Sequence, residues 1–108
     1  MESLSITAVA DELSGEAASA SAGRSTRVIT KSPGGLRQML LALAAGRGLS
    51  EHQNPGQATL QVLRGAVRLT AGEESWDGSA GDYLVIPERT HDLQASEDSV
   101  VLLTFVTG

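Results

Sequence analysis

The chain reads as an all-β barrel preceded by one helix, and three observations predict it. From Gly48 onward, short β-branched and aliphatic runs alternate with turn signals at regular spacing. His91, Leu93 and Ala95 alternate onto one face. The run Val100–Val106 is apolar at nearly every position, as a strand covered on both sides must be.

The elements follow in order. Residues 5–20 carry Ile6, Val9, Ala10, Leu13 and Ala17 at helical spacing, with Ser5 placed to cap and Asp11, Glu12 and Glu16 off the stripe. Ser19 to Ser25 is small and polar and reads as a linker. The domain division is therefore a helix and linker over 1–24 and a barrel over 25–108. Arg27 to Lys31 holds β-branched Val28, Ile29 and Thr30 and reads as a strand. Pro33-Gly34-Gly35 is a turn. Leu36 to Ala45 is ambiguous: Leu36, Met39, Leu40 and Leu43 have helical spacing, and the segment is rich in helix formers.

Thr59–Leu63 and Ala66–Thr70 read as a strand and its return around Arg64-Gly65. Ala71-Gly72 suits a tight turn before a short strand, Glu73 to Trp76. Asp77-Gly78 is a hairpin signal. Tyr83–Ile86 is an apolar strand ended by Pro87.

Composition narrows the function classes. The 108 residues suffice for one domain, and a 41 % hydrophobic content with one Trp, one Tyr and one Phe demands an aliphatic core. A net charge of −5, with eight unclustered basic residues, argues against nucleic acid and against an anionic membrane surface as partners. No cysteine is present, so disulfides and thiolate metal sites are excluded. The N-terminus lacks the basic-then-apolar layout of a signal peptide, and a cytoplasmic protein is the simplest expectation.

His52 and His91 are the only histidines. Gly46 is followed by five residues and then His52; Asn54 lies two further on, Ala58 six further on, and Gly65 closes the stretch. Gly81 is followed by five residues and Pro87; Arg89, His91 and Ala95 come after. These two stretches resemble the paired motifs of the cupin superfamily, in the form of a small single-domain cupin. Asn54 stands where the second histidine of the first motif belongs, and Ala58 where its glutamate belongs. In the second motif Arg89 replaces a glycine, His91 comes one residue early, and Ala95 takes the asparagine position.

The resemblance spans roughly residues 36–106. It implies a double-stranded β-helix, a jelly-roll-like barrel, and it makes 36–45 a strand against its helix propensity. It also implies an interior site at which His52 and His91 hold a divalent metal such as Zn, Mn, Fe or Ni, with Asn54 and Gln57 as weak oxygen donors. Two imidazoles bind such an ion only weakly without further donors. The alternative is that both rings line a pocket or hydrogen-bond each other and Asn54. No carboxylate occupies a motif position; Glu51 and Asp92 are adjacent in sequence but alternate onto the other face.

The leading expectation is a small-molecule-binding barrel with an incomplete metal site. Its ligand pocket would comprise His52, Asn54, Leu60, Val62, His91 and Leu93. A metal-dependent enzyme of dioxygenase or isomerase type, using His52 and His91, is the alternative; a stand-alone ligand-sensing barrel is another. Ser50-Glu51-His52 cannot form a nucleophilic triad, because nothing orients the base. Trp76 reads as a packing residue, Tyr83 as a rim residue, and Arg37, Arg64 and Arg68 as solvated or ion-paired unless one points inward. A homodimer is expected, since the helix and a second subunit are the available covers for Val100–Val106.

Overall fold

A computed structural model describes residues 1–53 and 56–106. Helix α1 spans Ile6–Ser19 and is followed by nine strands. These are β1 (Arg24–Lys31), β2 (Leu36–Leu43), β3 (Gly48–His52), β4 (Ala58–Arg64), β5 (Ala66–Ala71), β6 (Glu74–Ser79), β7 (Tyr83–Val85), β8 (His91–Ala95) and β9 (Ser99–Val106). They form two antiparallel sheets that face one another, ordered β1-β2-β9-β4-β7 and β3-β8-β5-β6. No helix among the described residues is long and apolar enough to cross a bilayer.

The helix forms as its stripe predicts. The Ser5 hydroxyl accepts from the Ala8 N–H at 3.1 Å, and Ala10, Leu13 and Ala17 are buried. They pack with Leu40, Ala42 and Val100 on the outside of the five-stranded sheet. Arg27 bonds Glu12 and Glu16 at 3.0 and 3.2 Å, and Arg64 bonds Asp11 at 2.7 Å. Such half-exposed pairs contribute at most ~1 kcal/mol each, whereas burying Leu13 is worth roughly 1.5–3 kcal/mol. Apolar burial docks the helix, and the ion pairs orient it.

Residues 36–43 are extended, so tertiary context overrides helix propensity. The strand lies between β1 and β9. Leu41 and Leu43 enter the inter-sheet core, while Leu40 and Ala42 face the helix. Burial on both faces produced the apolar spacing that mimics a helix. β9 is divided the same way: Val101 lies in the inter-sheet core and Val100 under the helix. At its far end the outer face turns polar, where Gln38 donates to the Thr104 hydroxyl at 3.2 Å.

Two local expectations are corrected. The expected linker is shorter, because the helix runs through Ser19 and β1 already begins at Arg24. Asp77-Gly78 is not a hairpin turn but lies inside β6, where Asp77 opposes Arg68 and Gly78 opposes Val67. The turn is at Gly72-Glu73, between the paired Ala71 and Glu74. Gly78 serves a different need: a Cβ there would stand 2.1 Å from the Trp76 ring, which lies across it. Trp76 packs half-buried against the inter-sheet core.

Candidate functional site

The site begins with two strands of the smaller sheet. β8 alternates cleanly, burying His91, Leu93 and Ala95. β3 pairs with it, Leu49 opposite Leu93 and His52 opposite His91. Three residues of β3 therefore span two of β8, a bulge between Leu49 and His52. In a regular strand those two residues would point to opposite faces. With the extra residue, both line the same cavity.

The imidazoles meet edge to face, with centroids 4.5 Å apart and planes inclined at 62°. His91 is 2 % exposed; His52 is exposed, at the cavity's mouth. Each ring is held by the carbonyl two residues before it: His52 Nδ1 lies 2.9 Å from Ser50 O, and His91 Nδ1 lies 2.8 Å from Arg89 O. A carbonyl only accepts, so each Nδ1 carries the proton and donates. Each Nε2 is left without a hydrogen-bond partner among the described residues.

Between the sheets these rings border a cavity of about 170 Å³. Its other walls are apolar: Met39, Leu49, Ala58, Leu60, Leu69, Ile86, Leu93, Leu103 and Phe105. Of the residues singled out in the sequence, His52, Leu60, His91 and Leu93 line this cavity. Val62 does not line the cavity. It is fully buried one step deeper along β4, opposite Val101, where the core is filled. Gln57 is also displaced: it precedes β4, is exposed, and lies off the cavity wall. Asn54 lies outside the described residues.

The sequence reading missed Leu49, Leu69 and Ile86, and also Met39, Leu103, Phe105 and Ala58, which cross-strand register places on two adjoining levels. Met39 opposes Leu103, which opposes Leu60; Phe105 opposes Ala58. Alternation from Leu60 back to Ala58 was the available signal. The other candidates lie elsewhere. Tyr83 is exposed and off the cavity. Arg64 and Arg68 hold Asp11 and Asp77, and the Arg37 guanidinium donates to Ser32 O at 2.7 Å.

No protein-family model matches the sequence, and no curated protein matches it significantly. Solved structures do match by shape. A conserved protein of unknown function from Streptococcus pyogenes superposes with a TM-score of 0.73 at 24 % identity, over 82 % of this chain and 78 % of that one. A cupin superfamily protein from Desulfitobacterium hafniense gives 0.74 at 19 %, over 79 % and 78 %. KdgF from a Halomonas species gives 0.67 at 26 %, over 77 % and 79 %. The chain folds as a cupin barrel.

Within this cupin barrel the motif glycines have a structural reason. Gly65 and Gly81 sit at φ +81° and +96°, in the left-handed region that side chains rarely adopt. A Cβ on Gly65 would also stand 2.3 Å from the Asp98 carbonyl oxygen. The metal implied by the fold is a different matter. Carbonyl-tethered imidazoles with free Nε2 atoms are how histidines are presented to an ion. Yet among the described residues no group of three histidine, aspartate or glutamate side chains converges. Ala58 contributes a methyl group where the motif has a carboxylate, and Asp92 alternates onto the other face, opposite Thr70. Two imidazole donors in an apolar cavity do not make a complete catalytic metal site.

Proposed function

We propose that this cupin barrel binds a small, largely apolar molecule between its sheets and is not a catalyst. The observation that carries the reading is the cavity itself: apolar on nearly every wall, with two tethered imidazoles as its polar contacts. Pockets of this kind, apolar with a few placed polar groups, are the usual form of a small-molecule site. Its volume is close to that of a cavity of ~150 Å³ known to hold benzene, so the ligand body is about one ring in size.

Titration of the ¹⁵N-labelled chain with 2-phenylethanol tests this. Saturable shifts in the His52 and His91 ring signals, with both rings in the Nδ1–H form, are expected. Ring signals that do not move, together with backbone shifts confined to the outer faces of the sheets, would remove the cavity from consideration.

The rival reading is a metal-dependent cupin enzyme of dioxygenase or isomerase type. The tethering of both rings favours it, and the donor count opposes it. The two readings separate on affinity: the rival requires the unmodified chain to bind a divalent ion tightly, whereas two imidazoles alone bind one only weakly.

A further inference from the structure

Lys31 and Arg37 stand directly opposite one another across the β1–β2 pair. Like charges in that arrangement destabilise a sheet. Arg27, Arg64, Arg68 and Arg89 each sit on a carboxylate. Arg24 and Arg47, like Lys31 and Arg37, have no ion-pair partner among the described residues, although the chain carries 13 acidic residues against eight basic ones. What sets Lys31 and Arg37 apart is that they face one another. A local rule broken without compensation marks a place where the sequence serves something besides stability.

Register shows where the pair lies. Arg37 opposes Phe105, and Phe105 opposes Ala58. Both of these line the cavity, as does Met39, two residues along β2 from Arg37. Arg37 therefore occupies the cavity side of the sheet, one level beyond Met39. Its guanidinium is half-buried and held in place, Nη1 donating to Ser32 O at 2.7 Å and to Leu36 O at 3.2 Å. Its Nε and Nη2 donate to no described protein group. A fixed guanidinium with free donors matches a carboxylate. The neighbouring Ala58 leaves that level without a protein carboxylate.

We propose that the ligand is a small amphipathic carboxylate. Its ring-sized apolar body fills the cavity, and its carboxylate sits at the rim on Arg37, in the field of Lys31. The proposal rests on the reading that the cavity binds an apolar molecule, and adds the charge of the head group.

Three probes with the same body separate the two claims: phenylacetate, 2-phenylethanol and 2-phenylethylamine, titrated calorimetrically into the intact chain at low salt. Phenylacetate is expected to bind about tenfold tighter than the alcohol, the scale of a charge-assisted hydrogen bond, and the amine most weakly. The preference should narrow as salt rises. In the double variant Lys31→Gln, Arg37→Gln the ratio of carboxylate to alcohol affinity should fall toward one.

Since Arg37 also ties down the hairpin carbonyls, Lys31→Glu provides a variant that keeps it. The new glutamate pairs with Arg37, so thermal stability should rise while phenylacetate affinity falls severalfold. Equal or tighter binding of the alcohol by the unmodified chain overturns the proposal and leaves the apolar site standing. So does a carboxylate preference that survives in both variants. Failure of all three probes to bind overturns the site and the proposal together.

Discussion

Replacing Ala58 by leucine separates a real void from a merely loose region of the core. Ala58 is 5 % exposed and lines the cavity. Leucine adds about three methylene equivalents, each worth ~0.8 kcal/mol on burial. Set against roughly 0.5–1 kcal/mol of lost rotamer freedom, the net gain is about 1.5 kcal/mol, within the usual range for filling a cavity. For a domain of this size that raises Tm by roughly 6 °C. Were the site already packed, the same change would overpack it and cost roughly 1–3 kcal/mol. The two cases differ in sign. Urea unfolding followed by the fluorescence of Trp76, the single tryptophan, gives the answer. A stabilised variant that no longer binds 2-phenylethanol is the expected result. A destabilised variant with an unchanged m-value would refute the void and the site built on it.

Four other expectations follow from the same geometry. Gly65→Ala combines a left-handed backbone with a close approach to Asp98 O, and should cost about 2 kcal/mol or more by denaturant unfolding. The hydrogen bond from Arg68 holds the Asp77 carboxyl below its usual range, so the pair's contribution is present above the unfolded value near ~3.9 and is lost as pH falls through the lower folded value; the stability gap between the native chain and Asp77→Asn should therefore be present at neutral pH and close below about pH 4. Divalent metal should bind the native chain weakly by calorimetry and not bind His52→Ala, while Asn54→His with Ala58→Glu should strengthen it by completing the donor set. The uncharged outer face carrying Leu36, Val106, Val85 and Tyr83 is proposed to bury against a second copy of the chain, and light scattering at micromolar concentration should give a dimer mass.

The parts of the fold that were legible are those in which one strand or helix declares its own faces. The α1 stripe, the β8 alternation and the two-sided β9 each follow from residues within a single element. β2 was legible only through the resemblance, because burial on both faces gave it a helix-like apolar spacing. Asp77-Gly78 misled because the dipeptide states a local preference, while the Trp76 ring above Gly78 states the actual requirement. The candidate site was half legible for the same reason. Alternation puts Leu60 and Val62 on one face but does not say how deep the cavity reaches, so Val62 was placed one level too high. His52 was assigned to the interior, yet its orientation depends on the bulge after Leu49, a register shift that only the pairing with β8 reveals.

Three departures from local rules converge on one cavity. His91 is a histidine buried to 2 % exposure on an otherwise apolar wall, its Nε2 without a protein partner among the described residues. The β3 bulge interrupts a ladder to bring His52 beside it. Lys31 and Arg37 repel one another on the cavity side of β1 and β2. Each has a separate sequence origin, and the segments that carry them are joined only by the folded barrel. A sequence selected for stability alone would have relieved each at little cost, with an apolar residue at 91, a regular β3, or a glutamate at 31. Their coincidence around an otherwise apolar void is what a binding site leaves in a fold.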